Sequence, residues 1–431
     1  MKDFMPKKNQ QKKLIENVLA ISAKARKEKE MNPSIINATV GSYYDESGQI
    51  KVFRCVKEAF EKPDYNNYLS YSSVKGSNEF IEAIKDWVLG SDYQDKYTNY
   101  YLNAIATCGG TGAIALAFAT YLEKNEGVML PNIMWPAYLQ IATNLEINHH
   151  VYNLYNENGR LDLANIKEVA NKLQVKYDKL FLVINDPCHN PTGFVMNDED
   201  YLGLIALCNA LSQKTKIILL LDIAYLDYGN DIGAKTRENF QLLKKLSSNV
   251  MVLFAFSASK TFGIYGLRLG ALIQMTTIEK EVSLFNEATS YFARSIWSNT
   301  SHLGMEIVTK TLSDKKQRLV FEEEIRATSQ NLEQRSKRFI EELEKYTVPF
   351  APYQNGFFVL ILVDNPIFEQ KIESQGAYGC HFGNGYRIAL SSISLEEAPR
   401  LGRIIGQAYQ SIFNKKSVSY THLTLPTNSL V

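Results

Sequence analysis

The sequence predicts an α/β protein: a large domain on a mostly parallel sheet covered by helices on both faces, plus a smaller α+β domain. Three observations predict it. Short apolar or β-branched runs alternate with helical stretches as far as about residue 305. Those runs are apolar throughout, the pattern of strands buried on both faces. From about residue 313 the pattern changes to one long charged segment, then strand-like pieces and a last helix. At 431 residues the chain is too long for one small core, which agrees with two domains or a domain plus lobes.

Taken in order, residues 8 to 30 read as an amphipathic helix with a basic outer face, and "SIINATVGSYYDESGQI" turns through Gly41 and Gly48. "YLNAIATC" is a strand running into the helix "GAIALAFATYLEK". "KLFLVIND" is a strand opening into a loop, "LGLIALCNALSQ" is helical, and "KIILLLDIAYLDY" and "VMVLFAF" are strands. The segment from 313 to 346 reads as a long helix with solvated faces, followed by the strands "GFFVLILV" and "YRIALSS" and a final helix. From Val418, "VSYTHLTLPTNSLV" breaks the helical pattern. Its first letters resemble a sequencing-library adaptor translated in frame, so 418–431 is set aside as an artefact.

Composition excludes several function classes. Charged residues make up 22% and the formal net charge is +1, so neither a nucleic-acid footprint nor an acidic, solvating character follows. Cys55, Cys108, Cys188, Cys208 and Cys380 are scattered without C-x-x-C spacing, as expected for reduced thiols in a cytoplasm rather than a disulfide framework or zinc site. The amino terminus lacks the apolar core of a secretory signal. No run approaches the roughly 18–20 apolar residues of a membrane span. The expectation is a cytoplasmic globular protein without nucleic-acid or membrane partners.

Four local sequences carry chemistry together. "CGGTGAIALAF" places Gly109, Gly110, Thr111 and Gly112 between a strand end and a helix start, where backbone N–H groups suit a phosphate; alone it is equally a tight turn. "NDPCHNPTG" supplies Asn190 before a stiff turn. "LLLDIAYLDYG" ends an apolar strand with Asp222 and Tyr225; a buried aspartate there needs a cationic or hydrogen-bonding partner, or else caps a helix. "FSASKTFGIYGLRLG" follows another apolar run and holds Ser257, Ser259, Lys260 and Arg268; alone it reads as a surface turn. Jointly they call for a cofactor with a phosphate, a basic ring nitrogen and an aldehyde, which is pyridoxal 5′-phosphate. A lysine in apolar surroundings has a depressed pKa, and its neutral amine attacks carbonyls. A carboxylate at the ring nitrogen keeps it protonated, so the ring withdraws electrons from the substrate α-carbon.

S-x-S-K-x-x-G-x-x-x-x-R, N-P-T-G and D-x-A-Y in this order resemble the fold-type I pyridoxal-phosphate enzymes, specifically the class I aminotransferases near the aspartate and aromatic amino acid branch. The likeness runs from about Ile36 to Arg387. It implies a seven-stranded sheet in a large domain over 48–309, a small domain over 310–417, and an arm over 1–47 that belongs to the small domain. It implies that Lys260 forms the Schiff base and then shuttles the substrate proton. Asp222 would pair with the pyridine nitrogen, and Asn190 and Tyr225 would bond the ring's phenolic oxygen. Gly110, Thr111, Ser257, Ser259 and Arg268 would hold the phosphate. Trp135, in "MWPAY", would stack on the ring, with Ala224 behind it.

The same resemblance implies a homodimer with shared sites. A tyrosine of the second subunit would reach the phosphate: spacing to Gly76 favours Tyr71, and the letters "NYL" favour Tyr68. Tyr71 is the choice, against a reading of both as core aromatics. Arg387, in "GNGYRIALS", would fork the substrate α-carboxylate, and the backbone N–H of Gly41 would close over it. Arg294, in "ARSIWSN", matches the arginine that reads a second carboxylate across the interface, or else is a solvated arginine on a loop. The implied reaction moves an amino group from aspartate, glutamate or an aromatic amino acid to a 2-oxo acid such as 2-oxoglutarate, by ping-pong chemistry. A β-lyase or decarboxylase on the same fold, or a non-catalytic cofactor-binding regulator, are the alternatives. One departure stands out: Tyr138 occupies the place where the aspartate branch usually carries a histidine, and it would have to donate to Asp222 instead. His189 reads as a structural neighbour of Asn190.

Overall fold

A computed structural model of the chain describes residues 4–10, 12 and 18–413. The adaptor-like tail, 418–431, lies outside the described residues, as do parts of the amino-terminal arm. The central sheet has seven strands: β1 (Tyr101–Thr107), β2 (Gly127–Pro131), β3 (Asn148–Tyr152), β4 (Lys179–Asn185), β5 (Lys216–Asp222), β6 (Val250–Ser257) and β7 (Gly270–Thr276). Their order across the sheet is β1-β7-β6-β5-β4-β2-β3. All pairs are parallel except those of β7, which runs antiparallel to β1 and β6.

Continuous apolar strands have a direct explanation here. Leu219, Leu221, Phe254 and Phe256 point into one core, while Ile218, Leu220, Leu253 and Ala255 point into another on the opposite face. Strand side chains alternate, so burial on both faces demands an apolar residue at every position. Each buried Leu or Ile adds roughly 1.5–3 kcal/mol of transfer free energy.

Helices α1 (Val18–Met31), α2 (Asn78–Leu89), α3 (Gly109–Tyr121), α4 (Ala137–Asn144), α5 (Lys280–Ile296), α6 (Lys315–Lys345) and α7 (Glu397–Phe413) matter below. The charged stretch is α6, begun by the Asp314 side chain, which accepts from Lys316 N and Gln317 N. A three-stranded antiparallel sheet holds β8 (Phe358–Ile361), β9 (Cys380–Phe382) and β10 (Gly385–Ala389), with β10 in the middle. Its core combines Ile36 and Ala38 with Phe339, Ile361, Ile388 and Leu401, so the segment before Gly41 packs with the carboxy-terminal third.

Two expectations are corrected. Arg294 is not on a loop: it lies in the last turn of α5, exposed. Nor are Tyr68 and Tyr71 core aromatics. Tyr71 is 91% exposed, and Tyr68 is half-buried, its ring 5.1 Å from Lys310 Nζ.

Candidate active site

Parallel pairing lines up the carboxy-terminal ends of neighbouring strands. Asn185 of β4 stands opposite Asp222 of β5, and Asp222 opposite Ala255 of β6, two residues before Ser257. The chain leaves the sheet at each of these points, and a crevice at such ends is where open α/β sheets bind ligands. A cavity of about 240 Å³ opens there. Gly41, Gly110, Thr111, Trp135, Asn190, Asp222, Ala224, Tyr225, Ser257, Ser259, Lys260, Arg268 and Arg387 all line it. Tyr71 and Arg294 do not.

At one end the backbone is shaped for an anion. α3 starts immediately after β1, and no side chain caps its first turn, so its N–H groups are free for a ligand. Gly109 has φ +72°, and a Cβ there would lie 2.6 Å from Arg268 Nη2. A Cβ on Gly110 would lie 3.1 Å from that of Ser257. The glycines therefore let the helix start close against both side chains. Arg268, itself left-handed at φ 52°, turns its guanidinium back to donate to Ser259 Oγ at 3.1 Å and the Tyr265 carbonyl at 3.0 Å.

The floor holds Asp222, 4% exposed. Tyr138 Oη donates to Asp222 Oδ2, and Ala224 N donates to Oδ1 at 3.1 Å. Burial pushes the Asp222 carboxyl up to about 6, against the pull of those two donors. Tyr138 is fully buried and its hydroxyl is pushed well above the usual phenol range by burial and by Asp222, so it acts only as a donor. Trp135 packs edge-on against Tyr138 with ring centroids 5.6 Å apart.

Across the cavity, burial lowers the Lys260 ammonium to about 7, helped by Arg387 and Arg268. Its Nζ donates to the Gly41 carbonyl at 2.5 Å. It lies 5.0 to 5.8 Å from the ring centroids of Tyr265, Tyr225 and Phe357. Gly41 thus meets the lysine through its carbonyl, a contact its expected role in binding a carboxylate did not include.

Arg387 closes the far end. It sits mid-strand on β10, opposite Leu360 and Cys380. Its guanidinium lies 4.4 Å from the Phe358 ring centroid and 5.0 Å from that of Phe382. Nη1 donates to Asn190 Oδ1 at 3.2 Å and Nη2 to the Thr39 carbonyl at 3.1 Å. Nε is buried without a hydrogen-bond partner. An unanswered guanidinium N–H in a cavity wall is a request for a carboxylate.

Sequence reading passed over Thr39, Asn185 and Tyr265. Asn185 bridges strand ends, donating to the Asp222 carbonyl and accepting from Asn190 N, both at 2.8 Å. Tyr265 Oη accepts from Tyr43 N at 2.8 Å, tying the Gly41 segment to the lysine turn. Tyr265 stood inside the quoted lysine stretch, but its partner is 222 residues away. His189 is buried with Nδ1 2.9 Å from Thr192 Oγ1; burial holds its imidazole down at about 3, so it is neutral and structural.

A family model described as aminotransferase class I and II matches residues 33–404. The chain belongs to that family. Among its relatives is an aspartate aminotransferase of Haemophilus influenzae, 26% identical over 75% of this chain and 81% of its own length. An aromatic-amino-acid aminotransferase of Paracoccus denitrificans is 24% identical over 86% of this chain and 92% of its own. An aminotransferase of Anaerococcus prevotii superposes with a TM-score of 0.89 at 25% identity, covering 94% of this chain and 99% of that one. This aminotransferase is therefore a transaminase that works with pyridoxal 5′-phosphate. Its cavity fits that group. Two arginines, Arg268 and Arg387, and the amine of Lys260 line it with one carboxylate, Asp222, a set suited to a phosphate, a substrate carboxylate and an aldehyde. Among the described residues no helix is long and apolar enough to cross a membrane.

Proposed function

We propose that this aminotransferase takes the amino group of aspartate, glutamate or an aromatic amino acid and delivers it to 2-oxoglutarate or a similar 2-oxo acid, in the cytoplasm. The observation that carries the site assignment is that Lys260 Nζ and the Asp222 carboxyl line one cavity, between an anion cradle and an orphaned arginine N–H. When bound, pyridoxal phosphate supplies an aldehyde that condenses with amines and a ring that withdraws electrons from the attached α-carbon.

The chain's own residues do the rest. The first turn of α3, Ser257, Ser259 and Arg268 would hold the phosphate. Asp222 would pair with the ring nitrogen and keep it protonated. Asn190 and Tyr225 would bond the ring's phenolic oxygen, and Trp135 and Ala224 would pack against the ring. Arg387 would fork the substrate α-carboxylate and so orient the substrate's Cα bonds. Lys260, whose ammonium burial lowers to about 7, would supply the amine that condenses with the aldehyde and, once freed, the general base that takes the substrate's Cα proton.

The proposal extends to a homodimer in which a second copy lends Tyr71 to the phosphate and Arg294 to a side-chain carboxylate. Both stand exposed, free for such an interface. We divide the chain into a sheet domain over 48–309 and a smaller domain over 310–417, with the arm over 1–47 joined to the latter; the packing of Ile36 and Ala38 with Phe339 and Leu401 supports that last assignment. A donor panel with 2-oxoglutarate as acceptor is the test. The purified protein is expected to be yellow, with a visible band that shifts on adding aspartate or glutamate. Arg294→Ala should cut kcat/KM for diacids by about 10²-fold, the loss of a charge-paired fork, and leave phenylalanine nearly unchanged. Equal losses for both substrates would remove Arg294 from the side-chain site.

A further inference from the structure

Beside the cavity, but not lining it, lies a buried carboxylate that no step above uses. Asp227 is 0% exposed and belongs to the short 3-10 turn Leu226–Tyr228, which follows Tyr225 directly. Both its oxygens are occupied. Arg237 Nη2 donates to Oδ1 at 2.6 Å; Trp87 Nε1 at 3.2 Å and Thr261 Oγ1 at 2.5 Å donate to Oδ2. Arg237 is itself fully engaged, giving Nε to the Trp87 carbonyl and Nη1 to the Ile232 carbonyl. Thr261 is the residue after Lys260. Tyr228, next to Asp227, donates its Oη to the Lys260 carbonyl at 3.1 Å.

The helical turn that carries Lys260 is only four residues, Ala258–Thr261, far too short to hold its own geometry. It is gripped at two successive residues by the turn that ends the Asp222 strand. We propose that Leu226–Tyr228 positions the reactive lysine, Asp227 acting through Thr261 and Tyr228 through the Lys260 carbonyl. This rests on the reading of Lys260 as the amine that condenses with the cofactor. One rigid turn then sets the Lys260 backbone relative to Asp222 and Tyr225, and a long flexible side chain keeps its reach only if its root is fixed. Arg237 supplies the counter-charge at 2.6 Å that a carboxylate buried there needs.

The test separates lysine placement from general packing. Apoprotein is titrated with pyridoxal 5′-phosphate and, separately, with pyridoxamine 5′-phosphate, which has the same ring and phosphate but no aldehyde. Thr261→Val keeps the shape and removes the donor. It is expected to weaken pyridoxal phosphate binding on the order of tenfold, the loss of one hydrogen bond to a charged group, with pyridoxamine phosphate affinity within about twofold. Thr261→Ser, which keeps the donor, is expected to restore pyridoxal phosphate affinity. Tyr228→Phe, which removes the second grip, is expected to show the same selective loss, and decides the matter alone if Thr261→Val does not fold. Equal loss for both ligands, or unchanged pyridoxal phosphate affinity in the variants, overturns the proposal. A wild-type protein that forms no visible band with the aldehyde overturns the reading of Lys260 instead.

Discussion

The two ends of one sheet hold cavities of similar volume, about 240 Å³ past Asp222 and Ser257 and about 260 Å³ beside Lys179, Lys216 and Asn249. Only the first is equipped for chemistry, and the lysines show why. Lys179 is ion-paired with Glu126 at 2.6 Å, and Lys216 faces solvent. Lys260 has a carbonyl for a partner and two arginines nearby that disfavour its charge. Empty volume is common; an amine held back from its usual ionisation is not. The difference also follows from topology. Where parallel strands end, the chain departs into loops and helix starts, which supply uncapped N–H groups.

The strongest way to break this contrast is to remove one lysine from each end. Lys260→Ala should lower kcat by about 10⁴-fold or more, because it removes both the condensing amine and the general base. Lys179→Ala should leave kcat/KM within about twofold, since it deletes a partly exposed ion pair. Steady-state transamination of both variants checks this. A large loss at Lys179 would mean the opposite end of the sheet contributes to the reaction. Next in size is Arg387→Lys. The ammonium keeps the charge but not the fork, so kcat/KM should fall about 10²–10³-fold. Much of that loss should appear in KM, because the arginine binds the substrate carboxylate before any bond breaks.

The same contrast explains what the sequence made legible. Asp222, Asn190 and Lys260 each end an apolar run or open a turn, so a polar residue in that place is conspicuous on the string. The strand runs are equally plain, because burial on both faces leaves few polar letters inside them, Gln274 being one exception. The antiparallel direction of β7 was not legible: "GALIQMT" carries no mark of which way it runs. Tyr265, Thr39 and Asn185 act through partners far along the chain, and no local pattern records a contact between residues 43 and 265. Arg294 looked like a loop residue because Ser and Asn follow it, yet those letters mark the end of α5 rather than its absence. Tyr138 was legible as a departure from a pattern with Asp222 as its expected acceptor, and the structure has that hydrogen bond.

That bond gives a smaller effect. Tyr138→Phe removes a donor that opposes the upward push of burial on Asp222. The carboxyl should then hold its proton to higher pH, and the acid limb of the kcat profile should move up. A kcat loss of about tenfold at neutral pH is expected, one hydrogen bond to a charged group. A profile that keeps its shape while kcat falls would assign Tyr138 to packing alone.

The smallest effect concerns stability, and it isolates the lysine from catalysis. In the apoprotein the Lys260 amine titrates near 7 instead of 10.5, so between those values the unfolded chain binds the extra proton and stability rises with pH. Below about 7 both states are protonated, and the folded state carries a charge its surroundings disfavour. Lys260→Met should therefore melt higher than wild-type apoprotein at pH 6, by about 1–3 °C for a chain of this size. The gap should close as pH rises toward 10.5. Asp222 titrates in both proteins, near 6 when folded, and largely cancels in the difference. Thermal scans of the two apoproteins from pH 6 to pH 10 read this directly. A gap independent of pH would mean the amine at the strand ends is not held back from its charged form, and the contrast between the two cavities would lose its electrostatic basis.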